Sequence, residues 1–162
     1  MKILFVCTAN ICRSALAEVL MKEMLQQKGL TDIEVSSAGV RNFEGEPRDY
    51  TMALFAREAG YLLAGEAKYL TRAMADSADL IICMAQYHVV ELQRRFVPYT
   101  RWDCIRRFNE ICFGEPTDMA DPTGGTEDMY RYAYKRIEEG CGILARKLLE
   151  MRPDGELSIE DM

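Results

Sequence analysis

An apolar pentapeptide that runs into a short polar loop and then a helix opens this chain, and few folds accommodate that order. Residues 2–6 are Lys-Ile-Leu-Phe-Val, rich in β-formers and without polar alternation. That pattern suits a strand buried on both faces. Residues 7–13 are polar and reactive. From Ser14 onward Leu16, Val19, Leu20, Met24 and Leu25 recur at helical spacing until Gly29, which predicts a helix with one inward face.

The alternation continues. Ile33–Ser36 predicts a second strand, closed by a turn at Ser37-Ala38-Gly39. Residues 48–59 predict a helix, with Met52, Phe55, Ala56 and Ala59 on one face. Asp79–Met84 predicts a third buried strand and residues 85–96 a helix. Trp102–Ile105 is the candidate for a short fourth strand. Residues 118–125 are loop-like, and Thr126 caps a long helix to about Met151. Glu127 and Asp128 suit that helix's N-terminal dipole. Its inner stripe is Met129, Ala133, Ile137, Cys141, Leu144 and Leu148. Strand–helix alternation of this kind implies an α/β architecture of three layers, a parallel sheet with helices on both faces. Ligands of such sheets sit at the carboxyl ends of the strands. The 7–13 loop lies at such an end and also opens a helix.

Length and composition bound the function. With 162 residues the chain predicts one domain, residues 1–151, followed by an acidic, mobile tail at 152–162. The net charge of −6 argues against a nucleic-acid binder, which would show a basic face. No apolar run is long enough to span a membrane, and the N-terminal run is too short for a signal peptide. The six cysteines, Cys7, Cys12, Cys83, Cys104, Cys112 and Cys141, are then expected as thiols in a reducing cytoplasm. Cys7 and Cys12 are one close pair without a second, and His88 is the one histidine, so no zinc site is expected.

The loop Cys7-Thr8-Ala9-Asn10-Ile11-Cys12-Arg13-Ser14 carries the chemistry. Successive N–H groups curling into a helix N-terminus make a nest for a tetrahedral anion. Arg13 can grip two oxygens of that anion. Cys7 faces the same dipoles, which favours a thiolate, and a thiolate beneath a bound phosphate is a nucleophile aimed at phosphorus. Ser14 is placed to hydrogen-bond the sulfur. The Gly-x4-Gly-Lys-[Ser/Thr] spacing of a nucleotide site is absent. The loop therefore predicts a phosphoryl group attacked by cysteine, with no metal and no cofactor. The leaving group needs an acid. Asp121, before Pro122 and the flexible Gly124-Gly125, is the candidate, and once ionised it would activate water against the phosphocysteine.

These residues resemble the low-molecular-weight protein tyrosine phosphatases over about residues 1–150. The likeness rests on Val6-Cys7-x-x-Asn10-x-Cys12-Arg13-Ser14-x-x-Ala17-Glu18, Ser37-Ala38-Gly39, Ala78-Asp79-Leu80-Ile81 and Asp121-Pro122. It implies a flavodoxin-like fold with a four-stranded parallel sheet, and hydrolysis of phosphotyrosine in protein substrates. It implies Cys7 as nucleophile, Arg13 as phosphate clamp and Asp121 as general acid and base. Asn10 would hold the loop in shape, Ser37 would support Asn10, and Cys12 would pair reversibly with Cys7 under oxidation. The chain departs from the family pattern in four places. Ala9 and Ala15 replace the usual glycine and proline. Ala9 would be strained if its position requires a positive φ. Gly65 replaces a histidine, which removes a partner expected near Asn10. Thr123 and Gly124 follow Asp121-Pro122 where many members carry aromatics, and Gly124-Gly125 is similar to the bacterial branch. Phe43 and Tyr50 are then candidates for the opposite wall of the substrate site, with Thr123 on the near side. Ile11 stands where related arginine phosphatases carry threonine, and favours an aryl ester.

Three other functions compete: a phosphoarginine phosphatase, a thiol-coupled arsenate reductase, and a catalytically weak phospho-binding module. The reductase needs a cysteine relay, for which Cys83 is the candidate, although it suits a buried small hydrophobe better. His88 is expected on a helix face or the surface. Arg94-Arg95, Arg101 and Arg106-Arg107 form a basic cluster, either a solvated face or an attraction for an acidic phosphoprotein.

Overall fold

β1 (Lys2–Cys7) is the axis around which the rest is laid. The computed structural model describes residues 1–96, 98 and 101–151, so the expected tail at 152–162 lies outside the described residues. β2 (Glu34–Gly39) and β3 (Leu80–Cys83) flank β1, and β4 (Ile105–Arg107) pairs outside β3. The sheet order is β2-β1-β3-β4 and every pairing is parallel. The helices are α1 (Arg13–Gln27), α2 (Tyr50–Glu58), α3 (Arg72–Ser77), α4 (Gln86–Arg95), α5 (Phe108–Phe113) and α6 (Glu127–Glu150).

The period of two along β1 divides the interior into two cores. Ile3, Phe5 and Cys7 face the core shared with α1, α5 and α6, whereas Leu4 and Val6 face the one shared with α3 and α4. β3 repeats the division, with Leu80 and Ile82 on the first side and Ile81 and Cys83 on the second. Cys7 and Cys83 therefore lie on opposite faces of the sheet.

Several boundaries differ from the sequence expectation. β2 runs through Ser37-Ala38-Gly39, which the sequence presents as a turn, because Cys7 pairs with Gly39 at the end of a continuous ladder. Non-local pairing there overrides weak β-propensity. The fourth strand is Ile105–Arg107, and Trp102–Cys104 forms a 3-10 turn before it. The short α3 and α5 carry no periodicity that sequence could register. Met129, expected on the inner stripe of α6, is 47% exposed.

Candidate active site

The loop after β1 is held from behind by its carbonyl oxygens. Cys7 O accepts from Val40 N (3.0 Å), Thr8 O from Arg41 N (2.9 Å), Ile11 O from Asp49 N (2.8 Å) and Cys12 O from Leu16 N (2.9 Å). Asn10 O accepts from Nη1 of Arg48. With these carbonyls turned outward, the N–H groups of the same trans peptides, at residues 8, 9, 11, 12 and 13, turn the opposite way, toward the pocket. A ring of inward N–H groups at a helix N-terminus is an anion cradle. The tight backbone packing explains Gly39: a Cβ there would stand 2.7 Å from Thr8 O, 2.8 Å from Ala9 C and 2.9 Å from Asn10 N.

Asn10 organises the interior of the loop. It is the one described non-glycine residue at positive φ, 60°, a region asparagine tolerates better than most. The strain considered for Ala9 does not arise, since Ala9 is not in that region. Asn10 Oδ1 accepts from Lys68 N (3.0 Å) and from Arg48 Nη1 (3.1 Å). Both partners can only donate, so the amide orientation is determined. Its Nδ2 then donates to Ser14 Oγ (2.9 Å) and Ser37 Oγ (2.8 Å). Ser37 Oγ in turn donates to Glu18 Oε1 at 2.6 Å. Ser14 Oγ, which accepts from Asn10, also lies 2.8 Å from Cys7 Sγ with its own proton available. The Asn10 and Ser37 bonds have fixed directions, and once Cys7 is a thiolate, which can only accept, Ser14 is the donor on the sulfur.

The pocket over this loop has a volume of about 210 Å³. Cys7, Thr8, Ala9, Cys12 and Arg13 line its floor, and Ile11, Phe43, Asp121 and Thr123 its walls. Tyr50 is not among these residues: it starts α2 and is 76% exposed. Arg13 is buried, and its Nη1 donates to Met119 O at 2.6 Å, which fixes the guanidinium plane. Its Nη2 stands 3.6 Å from Asp121 Oδ2. Asp121 Oδ1 accepts from Thr123 N (3.0 Å), and its side chain is 46% exposed at the mouth.

Three contributors escaped sequence reasoning. His88 is 1% exposed, not a surface residue. Its Nδ1 accepts from Ala85 N (3.0 Å), so Nε2 carries the proton and donates to Thr8 Oγ1 (2.9 Å). Burial and the charge of Arg13 lower its pKa to about 4. Arg48 reaches Asn10 from the strand-like segment before α2, and burial depresses its pKa while Glu18 and Cys7 oppose that shift. Tyr130 donates to Asp49 Oδ2 (2.9 Å) and accepts from Gly124 N (3.3 Å), tying the Asp121 loop to α2. Burial and the Asp49 contact push the Tyr130 phenol up to about 12, so it remains a donor. No local pattern marks any of the three, since each acts on a partner distant in sequence. Cys12 is buried and its pKa is raised, first by burial and then by Asp49.

Each arginine of the expected basic cluster has partners of its own. Arg94 pairs with Glu91. Arg95 lies 4.0 Å from the Tyr69 ring centre and donates to Leu70 O. Arg101 and Arg106 donate to main-chain carbonyls, and Arg107 pairs with Glu110 and Asp118. Among the described residues no group of three or more His, Cys, Asp or Glu side chains could hold a metal ion, and no helix is long and apolar enough to cross a membrane.

A parallel α/β sheet with a cysteine at the base of an anion cradle, an arginine beside it and a carboxyl across the pocket defines a cysteine-dependent phosphatase. The chain belongs to the low molecular weight phosphotyrosine protein phosphatase family, whose model matches residues 2–153. It is 34% identical over 154 residues to a protein-arginine-phosphatase of Bacillus subtilis, covering 94% of this chain and 99% of that one. It is 33% identical over 150 residues to the low molecular weight protein-tyrosine-phosphatase Etp of Escherichia coli, covering 90% and 93%. Its fold is similar to a YwlE arginine phosphatase mutant with a phosphorylated active-site serine, at TM-score 0.87, 32% identity and coverage of 94% and 98%.

Proposed function

We propose that the chain hydrolyses phosphotyrosine in protein substrates through a phosphocysteine on Cys7. The observation that carries this choice of substrate is the apolar wall of Ile11 and Phe43 beside the cradle. An aryl ring gains from burial against such a wall, whereas the N–H groups of a phosphoguanidinium would find no acceptor on Ile11. The near-equal identities to an arginine and a tyrosine phosphatase do not separate the two substrates.

The phosphoryl group sits in the loop, with its oxygens on the inward N–H groups and on Arg13. Cys7 Sγ attacks phosphorus in line, the bond to the tyrosyl oxygen breaks, and Asp121 gives its proton to that oxygen. Ser14's hydroxyl stabilises the sulfur before attack and as it leaves. Asp121, now a carboxylate, takes a proton from water as that water attacks phosphorus. The P–S bond breaks, inorganic phosphate departs, and the thiolate and the protonated carboxyl are restored. Reversible pairing of Cys12 with Cys7 under oxidation belongs to the same reading, and six thiols without a disulfide suit a cytoplasmic protein. Arsenate reduction is disfavoured because Cys83 is fully buried on the face of the sheet away from Cys7.

The test is turnover of an aryl phosphate at mildly acidic pH, then of phosphotyrosine and phosphoarginine peptides. The native protein should prefer phosphotyrosine. Cys7→Ser should be inactive, and Asp121→Ala should slow turnover by about 100-fold or more. Preference for phosphoarginine would reverse the substrate assignment. Phosphate binding without turnover would leave a binding module, and turnover that survives loss of Cys7 would remove the mechanism.

A further inference from the structure

We infer that Arg48 is a positioning residue for the phosphate loop: its guanidinium, seated against the Ala64–Gly65 segment, holds Asn10 in the left-handed conformation. The inference rests on the phosphocysteine reading of that loop.

Four of the five outward carbonyls are taken by main-chain donors, from Val40, Arg41, Asp49 and Leu16. The fifth, Asn10 O, is taken by a side chain, Nη1 of Arg48. The same Nη1 lies 3.1 Å from Asn10 Oδ1, and Nε of Arg48 donates to Ala64 O at 3.2 Å. One planar group thus joins the main-chain and side-chain oxygens of Asn10 to the segment before Gly65. A guanidinium suits that task because its donors are held in a fixed fork. Gly65 faces the same group: a Cβ at Gly65 would lie 3.5 Å from Arg48 Nη2. Gly65 is also at φ 87°, where a side chain would be strained. The 65 position therefore cannot supply a partner without cost, and Arg48 occupies the adjoining space.

The consequence reaches the sulfur through geometry already described. Asn10 at φ 60° directs Nδ2 to Ser14, whose Oγ lies 2.8 Å from Cys7 Sγ and donates to the thiolate form. Without Arg48, Asn10 O loses its donor and Oδ1 keeps only Lys68 N. Relaxation of Asn10 toward negative φ would turn the adjoining peptide groups out of the cradle and withdraw the donor from Ser14.

The experiment compares Arg48→Met, Arg48→Ala and Arg48→Lys with the native protein. The readouts are kcat per site counted by the aryl-phosphate burst, KM, inhibition by inorganic phosphate, and folding by circular dichroism. Arg48→Met and Arg48→Ala should stay folded, lose about 10- to 100-fold in kcat per active site, and weaken phosphate inhibition in parallel. Arg48→Lys, which has charge but no fork, should fall between. Millimolar guanidinium should restore part of the activity of Arg48→Ala, where it leaves room, and none to Arg48→Met. Native kcat per burst-counted site in the Met and Ala variants would overturn the inference, whether or not their stability falls. So would loss of activity with phosphate inhibition unchanged. Native turnover in a Cys7→Ser variant would instead remove the phosphocysteine reading itself.

Discussion

His88 shows how a single side chain is assigned its state by its surroundings. Its ring bridges Ala85 N and Thr8 Oγ1, and that bridge requires the neutral form, because Nδ1 must accept. The facing charges are Arg13, Asp118 and Asp121; burial and Arg13 together lower the pKa from 6.5 to about 4. The unfolded chain therefore binds the extra proton first as pH falls. The stabilisation is complete above about 6.5 and is lost as pH falls toward 4. Urea unfolding at pH 7 and pH 4.5 should show the native protein losing about 2 kcal/mol more than His88→Gln; equal losses would refute the bridge. Gly39 makes a second residue-scale case. Its missing Cβ is required by three main-chain atoms of the loop. Gly39→Ala should lower kcat/KM by about 100-fold and weaken phosphate inhibition. Unchanged kinetics in that variant would mean the loop can yield there.

At the scale of elements, α6 carries two glycines with opposite roles. A Cβ at Gly140 would meet Phe108 Cζ at 2.5 Å and Cε1 at 2.6 Å, whereas Gly142 has nothing within 4 Å. Phe108 is fully buried, so Gly140 is where α5 and α6 approach. Gly140→Ala should destabilise by about 1–3 kcal/mol through overpacking. Gly142→Ala should stabilise by up to about 1 kcal/mol, since alanine suits a helix interior better. Thermal unfolding of the pair decides it: shifts of the same sign would contradict the packing. The long helices α1 and α6 were legible because their caps and periodic apolar residues are local. The sequence also placed the N-cap of α6 at Thr126, whose side chain accepts from Met129 N. By contrast β4 is a three-residue strand that includes two arginines, and only its pairing with β3 makes it a strand. α3 and α5 are six residues each, too short for a helical period to register.

For the whole molecule, the strand order places β1 and β3 inside and β2 and β4 at the edges. β1 and β3 are also the strands buried on both faces. Native-state hydrogen exchange should therefore protect amides of Ile3–Val6 and Leu80–Cys83 up to the global unfolding free energy, while those of Ile105–Arg107 open locally. Equal protection of β4 and β1 would count against this hierarchy. The acidic net charge of −6 coexists with a buried cation at the site, because Arg13 is enclosed at one end of the sheet and held by Met119 O. Charge counting identifies the overall sign, whereas the fold decides where the exception lies.

The local chemistry of the site was determined by the sequence alone. Cys7 through Ser14 are contiguous, so a strand, a loop and a helix N-terminus bring them together without long-range help. The tertiary structure decided what holds that loop in its working shape. Val40, Arg48, Asp49, His88 and Met119 all reach it from beyond β2, and Gly39 clears its path at that strand's end. Cradle formation requires every outward carbonyl to find a donor, and a peptide this short cannot supply those donors itself. Apart from Leu16 N on Cys12 O, they come from whichever segments the sheet order places behind the loop, and local sequence pattern does not encode that order.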